Sequence, residues 1–130
     1  MPPVRPVILV ADDDQPTCDL LKDFVEWEGY AADSVRTGPA ALARIQAGGL
    51  DLALLDWMLP DLGGVDPCQQ VREGERGREE HLPIIVVSAS GEAQRDTALA
   101  AGTDAYLPKP FELDDLLDLV VRYVPPAAGQ

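Results

Sequence analysis

Acidic, hydroxyl and basic side chains stand at the ends of four short apolar runs in this 130-residue sequence. Asp12 and Asp13 follow the first run, Asp56 ends the third, Ser88 ends the fourth and Lys109 follows the fifth. Carboxylates held close together repel one another, and a hard divalent cation such as Mg²⁺ removes that cost. An acidic nucleophile, a metal ion, a hydroxyl and a lysine are together suited to receiving a phosphoryl group. These residue types therefore predict a phosphoryl-transfer site, provided that the fold brings them together.

Taken singly, each of these residues has a more common structural role. An acidic run after a strand usually caps a helix, and an Asp at a strand end usually belongs to a turn. Trp57 and Tyr106 are typical packing aromatics, and His81 has the pattern of a surface histidine without a partner. The mixed-charge run from Arg72 to Glu80 is typical of a solvated helix end. The hypothesis of a site depends on the strand-end residues meeting at one edge.

Short apolar runs alternate with segments of helical periodicity along the chain. The first run is β-branched and unbroken, as in a strand buried on both faces. The apolar residues of the last segment recur at helical spacing from Leu113 to Val124. The predicted strands are Val7–Ala11, Tyr30–Val35, Leu50–Leu55, Ile84–Ser88 and Ala105–Leu107. The predicted helices begin near Asp14, Thr37, Val65, Ala93 and Leu113 and end near Gly29, Gly48, Arg72, Ala101 and Val124.

Strands that alternate with helices predict an α/β fold, with a parallel sheet covered by helices on both faces. In such sheets ligands bind beyond the carboxyl ends of the strands, near the point where the strand order reverses. All the chemistry-bearing residues named above stand at such ends. The predicted fold therefore places them along one edge of the sheet.

The charge balance restricts the partners that this chain can bind. Ten Lys and Arg against 23 Asp and Glu give a net charge of −13. A surface this acidic repels a phosphate backbone and an anionic leaflet, so we expect neither direct nucleic-acid binding nor membrane association. Cations and basic or metal-bearing ligands are the favoured partners.

The cysteine pattern and the apolar runs indicate a cytoplasmic protein. Cys18 and Cys68 are far apart and form no CxxC motif, which argues against a disulfide framework or a zinc site. No apolar run approaches the ~20 residues of a membrane span. The N-terminal segment lacks the long apolar core and the cleavage site of a signal peptide.

Four segments together carry a resemblance to a known family. They are ILVADDD, LLDWMLPDLGG, IIVVSA and GTDAYLPKPF. In this order, between about Val7 and Val124, they resemble the receiver domain of two-component response regulators. The resemblance implies a single-domain, flavodoxin-like (βα)5 fold, a doubly wound five-stranded parallel sheet of order 2-1-3-4-5. It also implies Mg²⁺-dependent transfer of a phosphoryl group from the phosphohistidine of a sensor histidine kinase or phosphotransfer protein to an aspartate.

The resemblance implies which residues accept the phosphoryl group and hold the metal ion. Asp56 matches the phosphoacceptor. Asp13 matches the acid that binds the metal directly, and Asp12 the acid that assists it. Asp56 and the backbone carbonyl of Met58 match the remaining protein ligands. Mg²⁺ is the expected ion, with Mn²⁺ as a substitute.

The resemblance also implies how the phosphoryl group is bound and sensed. Ser88 and Lys109 match the positions that contact its oxygens, and small Ala89 leaves room beside it. Ser88 and Tyr106 match the pair of switch residues. The Lys109–Pro110 peptide bond is expected to be cis, which a prolyl bond tolerates.

The expected domain boundaries follow from the same match. Residues 1–6 are expected to form an N-terminal tail, 7–124 the receiver domain, and 125–130 a C-terminal tail or the start of a linker. Pro125-Pro126 could end a stand-alone regulator or lead to an output domain. The downstream partner is accordingly a fused output domain or a separate protein.

Three alternative functions are weighed against a phosphorylation switch. A phosphatase with an Asp nucleophile usually has a second Asp two residues on, where this chain has Met58. A flavin-binding module would need a phosphate loop after the first strand, where Asp12 and Asp13 would repel the phosphate. A degenerate receiver that only docks would not need the intact set of acids, Ser88 and Lys109. We therefore expect a phosphoacceptor regulator rather than a conventional enzyme.

Overall fold

The structure of this chain is a computed structural model that describes residues 5–56, 67–75, 81–89 and 91–126. Strands and helices alternate along these residues. The strands are β1 (Val7–Ala11), β2 (Ala31–Val35), β3 (Leu52–Asp56), β4 (Ile84–Ser88) and β5 (Ala105–Pro108). The helices are α1 (Gln15–Trp27), α2 (Gly38–Gln46), α3 (Pro67–Glu75), α4 (Arg95–Ala100) and α5 (Leu113–Tyr123). A 3-10 turn, Gly91–Gln94, precedes α4.

The strands form one parallel sheet in the order β2-β1-β3-β4-β5. The doubly wound sheet and its expected order are therefore confirmed. The order reverses between β1 and β3, which are paired neighbours although β2 lies between them in sequence. The carboxyl ends of β1 and β3 flank this reversal, where ligands of such sheets bind.

Two layers of helices cover the sheet, one on each face. Alternate residues of β1 point to opposite faces, so Ile8 and Val10 pack in one apolar cluster and Leu9 and Ala11 in the other. The first cluster includes residues of α1 and α5, among them Cys18. The second includes residues of α2, α3 and α4, among them Cys68. The unbroken apolar character of the central strands follows from burial against both layers.

The start of α1 follows directly from its sequence. Asp14 is in an extended conformation, and its carboxylate accepts hydrogen bonds from the backbone N–H and the hydroxyl of Thr17. Pro16 lies in the first turn, where no N–H donor is needed. Asp14 is therefore the N-cap, as predicted. Its use as a cap leaves Asp12 and Asp13 in the short connection between β1 and α1.

Several element boundaries differ from the sequence-based expectations. β3 starts at Leu52 rather than at Leu50, because its pairing with β1 begins at the Ile8–Leu52 pair, and β3 includes Asp56. The predicted fourth helix is divided into the 3-10 turn and α4. Helix α3 ends at Glu75, beyond the predicted Arg72. The predicted start of this helix at Val65 lies outside the described residues.

A charged cluster lies beside the amino ends of β4 and β5. The Arg72 guanidinium donates to Glu75 Oε1 and to Asp104 Oδ2, each at 2.7 Å. His81 Nε2 lies 2.7 Å from Asp104 Oδ1. The side chains of Arg72, Glu75 and Asp104 are each only 18% exposed. Arg72 and Glu75 are therefore not solvated, contrary to the expectation for this helix end. His81 lies at the surface as predicted, with its side chain 54% exposed, but it has a partner in Asp104 that the sequence did not indicate.

A close backbone approach completes this cluster. Arg72 Nε donates to the carbonyl of Gly102 at 2.9 Å. Gly102 has a φ of 108°, and a Cβ at this position would lie 2.8 Å from Arg72 Cγ. A side chain at residue 102 would thus be strained in its backbone and would displace Arg72.

Among the helices that the structure describes, none combines the length and the apolar character needed to cross a bilayer.

Candidate functional site

Three carboxylates meet at the carboxyl ends of the adjacent strands β1 and β3. Asp12 and Asp13 follow β1 directly, and Asp56 is the last residue of β3. One carboxylate oxygen from each lies within 4.8 Å of those of the other two. Asp12 and Asp56 are buried, whereas Asp13 is exposed. The structure therefore brings together the three acids that were predicted from the sequence to meet at this edge.

Both carboxylate oxygens of Asp12 are held by hydrogen bonds. Oδ1 accepts from the backbone N–H of Asp14 at 2.9 Å, and Oδ2 accepts from Lys109 Nζ at 3.0 Å. The Asp12 backbone is fixed as well, because its N–H donates to the Val35 carbonyl at 3.2 Å. On its other side, the Cys18 thiol donates to the Asp12 carbonyl at 3.1 Å. The position of Asp12 is thus set by four contacts from three parts of the chain: α1 with its cap, β2 and the segment after β5.

The contact from Cys18 was not anticipated from the sequence. Burial raises the pKa of the Cys18 thiol above its ordinary value, so it stays a protonated donor. A buried cysteine on the inner face of α1 was expected as packing only. The only feature of the sequence that could have indicated this contact is the separation of six residues between Asp12 and Cys18. It places Cys18 in the first turns of α1, close to the end of β1.

The side chain of Lys109 extends to the three acids from the end of β5, the edge strand two positions from β3 in the sheet. It follows β5, and its backbone N–H donates to the Ser88 carbonyl at 2.7 Å. Its Nζ lies 3.9 Å from Asp56 Oδ2, in addition to its bond with Asp12. Burial lowers the pKa of the Lys109 ammonium, but the bond to Asp12 and the charges of the nearby acids outweigh burial, so its pKa is raised. The Lys109–Pro110 peptide bond is cis.

Ser88 is fully buried at the carboxyl end of β4, and Ala89 beside it is exposed. The register pairs Asp56 of β3 with Val87, so Ser88 stands one residue further toward the edge. The backbone bond between Ser88 and Lys109 ties this strand end to the lysine. The hydroxyl-bearing residue therefore lies at the same edge as the acids.

Tyr106 lies on β5 with its side chain only 4% exposed, inside the cluster packed by α2, α3 and α4. It pairs with Val86, two residues before Ser88. Arg95 of α4 lies over its ring, with Cζ 5.2 Å from the ring centroid. Tyr106 is a packing residue, as its residue type predicts. The contact with Arg95 was not predicted from the sequence. The only local signal is the separation of three residues between Glu92 and Arg95, which allows an ion pair that would order the Arg95 side chain.

Met58, the remaining expected metal ligand, lies outside the described residues, as does Trp57. The described part of the site offers carboxylate oxygens, a hydroxyl and an ammonium group. Oxygen ligands of this kind suit a hard cation such as Mg²⁺. An ammonium close to Asp56 can offset the negative charge of an incoming group. Metal-assisted transfer of an anion to a carboxylate is the chemistry that these groups support.

Known proteins that this chain resembles are response regulators. The family described as "Response regulator receiver domain" matches residues 8–121. The phosphate regulon transcriptional regulatory protein PhoB of Rhizobium meliloti is 39% identical over 113 residues, covering 86% of this chain and 49% of PhoB. ResD of Bacillus subtilis, a transcriptional regulatory protein, is 41% identical over 105 residues, covering 80% of this chain and 42% of ResD. The chain thus spans about half the length of these relatives.

A solved structure agrees in its fold. The receiver domain of the Francisella response regulator 1452 superposes with a TM-score of 0.81 at 31% identity, covering 91% of this chain and 95% of the other. A further similar structure is that of histidine kinase ThkA in complex with the response regulator protein TrrA, with a TM-score of 0.74 at 29% identity, covering 92% and 98%. This chain therefore belongs to the family of response regulator receiver domains.

Proposed function

We propose that this receiver domain accepts a phosphoryl group on Asp56 from the phosphohistidine of a sensor histidine kinase or phosphotransfer protein, in a reaction that requires Mg²⁺. The observation that carries the proposal is the cluster of Asp12, Asp13 and Asp56, whose oxygens lie within 4.8 Å of one another. Lys109 stands beside it, 3.9 Å from Asp56 Oδ2. A buried nucleophile next to a cation-binding site and an ammonium group suits phosphoryl transfer better than a purely structural role.

The donor set favours a hard divalent cation. Asp12, Asp13 and Asp56 would hold Mg²⁺, or Mn²⁺ in its place, and the Met58 carbonyl is the further ligand that the family resemblance implies. The bound ion would neutralise charge on the transferring oxygens. Three carboxylates, of which Asp13 is exposed, leave coordination positions for the waters that Mg²⁺ usually retains.

The protein's own groups account for the rest of the transfer. A carboxylate oxygen of Asp56 forms the new O–P bond as the N–P bond of the phosphohistidine breaks, and the imidazole leaves with the electron pair. Lys109 offsets charge on a phosphoryl oxygen, and the Ser88 hydroxyl donates to another. Ala89 is small, so the phosphoryl group is not blocked at the open edge. The domain assists its own modification but does not turn over a substrate as a conventional enzyme does.

A shallow pocket of about 570 Å³ beside Lys109 supports docking of the phosphoryl donor. It is mostly apolar and is lined by Thr17, Leu20, Ala89, Lys109, Pro110, Phe111 and Leu113. Leu20 on α1 is 56% exposed, more than a core leucine would be. A donor that covers this surface would bring its phosphohistidine to the edge where Asp56 lies. The complex of ThkA with TrrA is a precedent for such pairing in similar proteins.

The proposed output is a population shift that starts at Ser88. A phosphoryl group on Asp56 draws the Ser88 hydroxyl toward it, and the loop after β4 takes up the movement because the sheet restrains the strand. The inward conformer of the Tyr106 ring is then favoured, which changes the surface formed by α4, β5 and α5. A fused output domain or a separate protein reads this surface. The net charge of −13 argues against direct binding of nucleic acid by this part of the protein.

We also propose that residues 7–124 are the receiver domain, with 1–6 and 125–130 as tails or linker. The described strands and helices run from Val7 to Tyr123, which supports these bounds. The buried thiols of Cys18 and Cys68 are compatible with a reducing, cytoplasmic setting.

The test is phosphorylation with a small-molecule donor. Acetyl phosphate and Mg²⁺ should add one phosphoryl group to the wild-type protein, measured by intact mass. Asp56→Asn should abolish the addition, and Asp118→Asn, a matched change on the exposed side of α5, should not. Labelling that persists in Asp56→Asn, or that proceeds equally in EDTA, would refute the assignment.

A further inference from the structure

Arg95 contacts both the ring and the backbone of Tyr106. Its guanidinium carbon lies 5.2 Å from the ring centroid, within the distance at which a cation is attracted to an aromatic face. Its NH1 group also points to the Tyr106 carbonyl, at 3.4 Å. Arg95 is the first residue of α4, so these contacts join the start of α4 to the middle of β5.

Glu92 fixes the plane of this guanidinium. Arg95 Nε donates to Glu92 Oε2, and NH2 donates to Oε1 at 3.0 Å. The hydrogen bond from Arg95 lowers the pKa of the Glu92 carboxyl, which stays ionised. The side chains of Arg95 and Glu92 are 39% and 66% exposed. An ion pair this exposed contributes little to overall stability, so its main physical effect is to orient Arg95 through two parallel bonds.

Tyr106 cannot leave its buried position without losing this contact. Its ring fills a place in the apolar cluster, and the guanidinium covers the ring on the side of α4. A conformer with the ring turned outward gives up both the apolar contacts and the attraction to Arg95. The contact with Arg95 therefore stabilises the buried conformer of Tyr106 and shifts the equilibrium away from the outward conformer.

We propose that Arg95, oriented by Glu92, is a positioning residue that holds Tyr106 in its buried conformation and so sets the balance of the switch. The proposal deepens the proposed function, since it depends on Tyr106 being the residue that reports the state of Asp56. Arg95 stands seven positions after Ser88 and begins α4, the next helix after β4. The connection from β4 to α4 is the route by which a change at Ser88 would reach Arg95 and, through it, Tyr106.

The test observes Tyr106 by ¹⁹F NMR in protein labelled with 3-fluorotyrosine. The chain has three tyrosines, so a Tyr→Phe change at each position assigns the spectrum. Tyr30 is the internal reference, because its hydroxyl donates to the carbonyl of Val124. Tyr123 donates to the carbonyl of Asp104, two residues before Tyr106, so its signal reports any general loosening around β5.

Arg95→Ala should move the Tyr106 signal toward that of an exposed ring, with about a fivefold rise in the ratio of exposed to buried conformers. Glu92→Gln should move it in the same direction by less, because the cation remains but loses its orientation. Arg44→Ala is the matched control. It removes a partly buried arginine that pairs with Asp33 at 2.9 Å, and should leave the Tyr106 signal unchanged.

A Tyr106 signal at the wild-type position in Arg95→Ala would overturn the proposal. Equal shifts of all three tyrosine signals would overturn it too, since they would mean general loosening. Failure of the proposed function is recognised separately. It would show as the absence of acetyl phosphate labelling at Asp56, whereas the ¹⁹F comparison is made on unmodified protein.

Discussion

Asp12 and Asp13 are neighbours in sequence, yet their surroundings differ sharply. Asp12 is 3% exposed and accepts hydrogen bonds from Asp14 and Lys109. Asp13 is exposed and contributes its charge to the three-carboxylate cluster. Removing the charge of Asp12 therefore leaves Lys109 with less compensation, whereas removing that of Asp13 relieves repulsion.

This difference predicts opposite effects on thermal stability without metal. In EDTA, Asp13→Asn should raise Tm by about 1–3 °C, and Asp12→Asn should lower it. Mg²⁺ should raise the Tm of the wild type through binding to the folded state, and this rise should largely disappear in Asp13→Asn. Differential scanning calorimetry measures all of these values, with Asp118→Asn as the surface control. A lower Tm for Asp13→Asn in EDTA would contradict the repulsion argument.

At the scale of elements, the loop after β4 is expected to carry the signal from Ser88 to β5. Ser88→Ala should still be phosphorylated on Asp56, because the nucleophile and the metal ligands are unchanged. Beryllofluoride, which stands in for the phosphoryl group, should shift amide signals mainly in wild-type residues 88–107 and in α5. These shifts should be much smaller in the alanine variant, because the hydroxyl that is drawn inward is absent.

The comparison is made by ¹H–¹⁵N NMR on both proteins. Ala89→Gly is a useful second variant, because it alters the same loop and keeps the hydroxyl. A Ser88→Ala protein that responds like the wild type would mean that the coupling follows another path.

The cluster around Arg72 links helix α3 to the amino ends of two strands. Arg72→Met keeps the length of the side chain but leaves Glu75 and Asp104 without their cation. Both acids are only 18% exposed, so we expect the free energy of unfolding to fall by about 2 kcal/mol in urea titrations.

His81→Gln is the matched comparison for that cluster. The His81 side chain is 54% exposed, so its loss should cost less than about 1 kcal/mol. If the Arg72 variant is as stable as the wild type, the cluster contributes solubility rather than stability.

The sequence predicted the elements better than their contacts. β-branched apolar runs identify the strands because both faces of each central strand are buried, and the Asp14 cap is a local signal. The limits of a strand depend on its register with the neighbouring strand. The apolar run begins at Leu50, so the sequence alone could not show that β3 starts at Leu52. The partner of Arg72 at Asp104 lies 32 residues away, and no local pattern predicts such a contact.

The candidate site was recoverable for a different reason. Its residues stand at strand ends, and the topology of a parallel sheet alone brings such ends to one edge. The roles of Cys18 and Arg95 were missed because they depend on how helices pack on that edge.

At the scale of the whole molecule, Tyr30 joins two distant parts of the chain. It precedes β2, is fully buried, and donates to the carbonyl of Val124 after α5 at 2.5 Å. Burial, with a smaller effect from the charge of Glu28, raises the pKa of the phenol. The folded state therefore holds this proton more tightly than the unfolded state.

The sign of the resulting pH dependence follows from that difference. The contribution of Tyr30 is fully present below the ordinary tyrosine pKa of about 10 and is lost as the pH rises above it. Tyr30→Phe should lower the free energy of unfolding by about 1 kcal/mol at neutral pH. Above about pH 10 the two proteins should converge, because only the wild type loses this contribution. Urea titrations between pH 7 and 11 test this, and parallel curves would contradict it.

The two cysteines lie in separate layers of the core, Cys18 on the inner face of α1 and Cys68 in α3, and each is at most 1% exposed. A thiol reagent can reach either one only when its own layer opens, so the labelling rates of the two thiols measure local unfolding on the two faces of the sheet independently. Equal rates would indicate that the domain opens as one cooperative unit. A faster rate at Cys68 would identify the face that carries α4 as the less stable half, the half in which Tyr106 is buried. The native sequence thus contains its own pair of probes for how a change at Asp56 redistributes stability between the two layers.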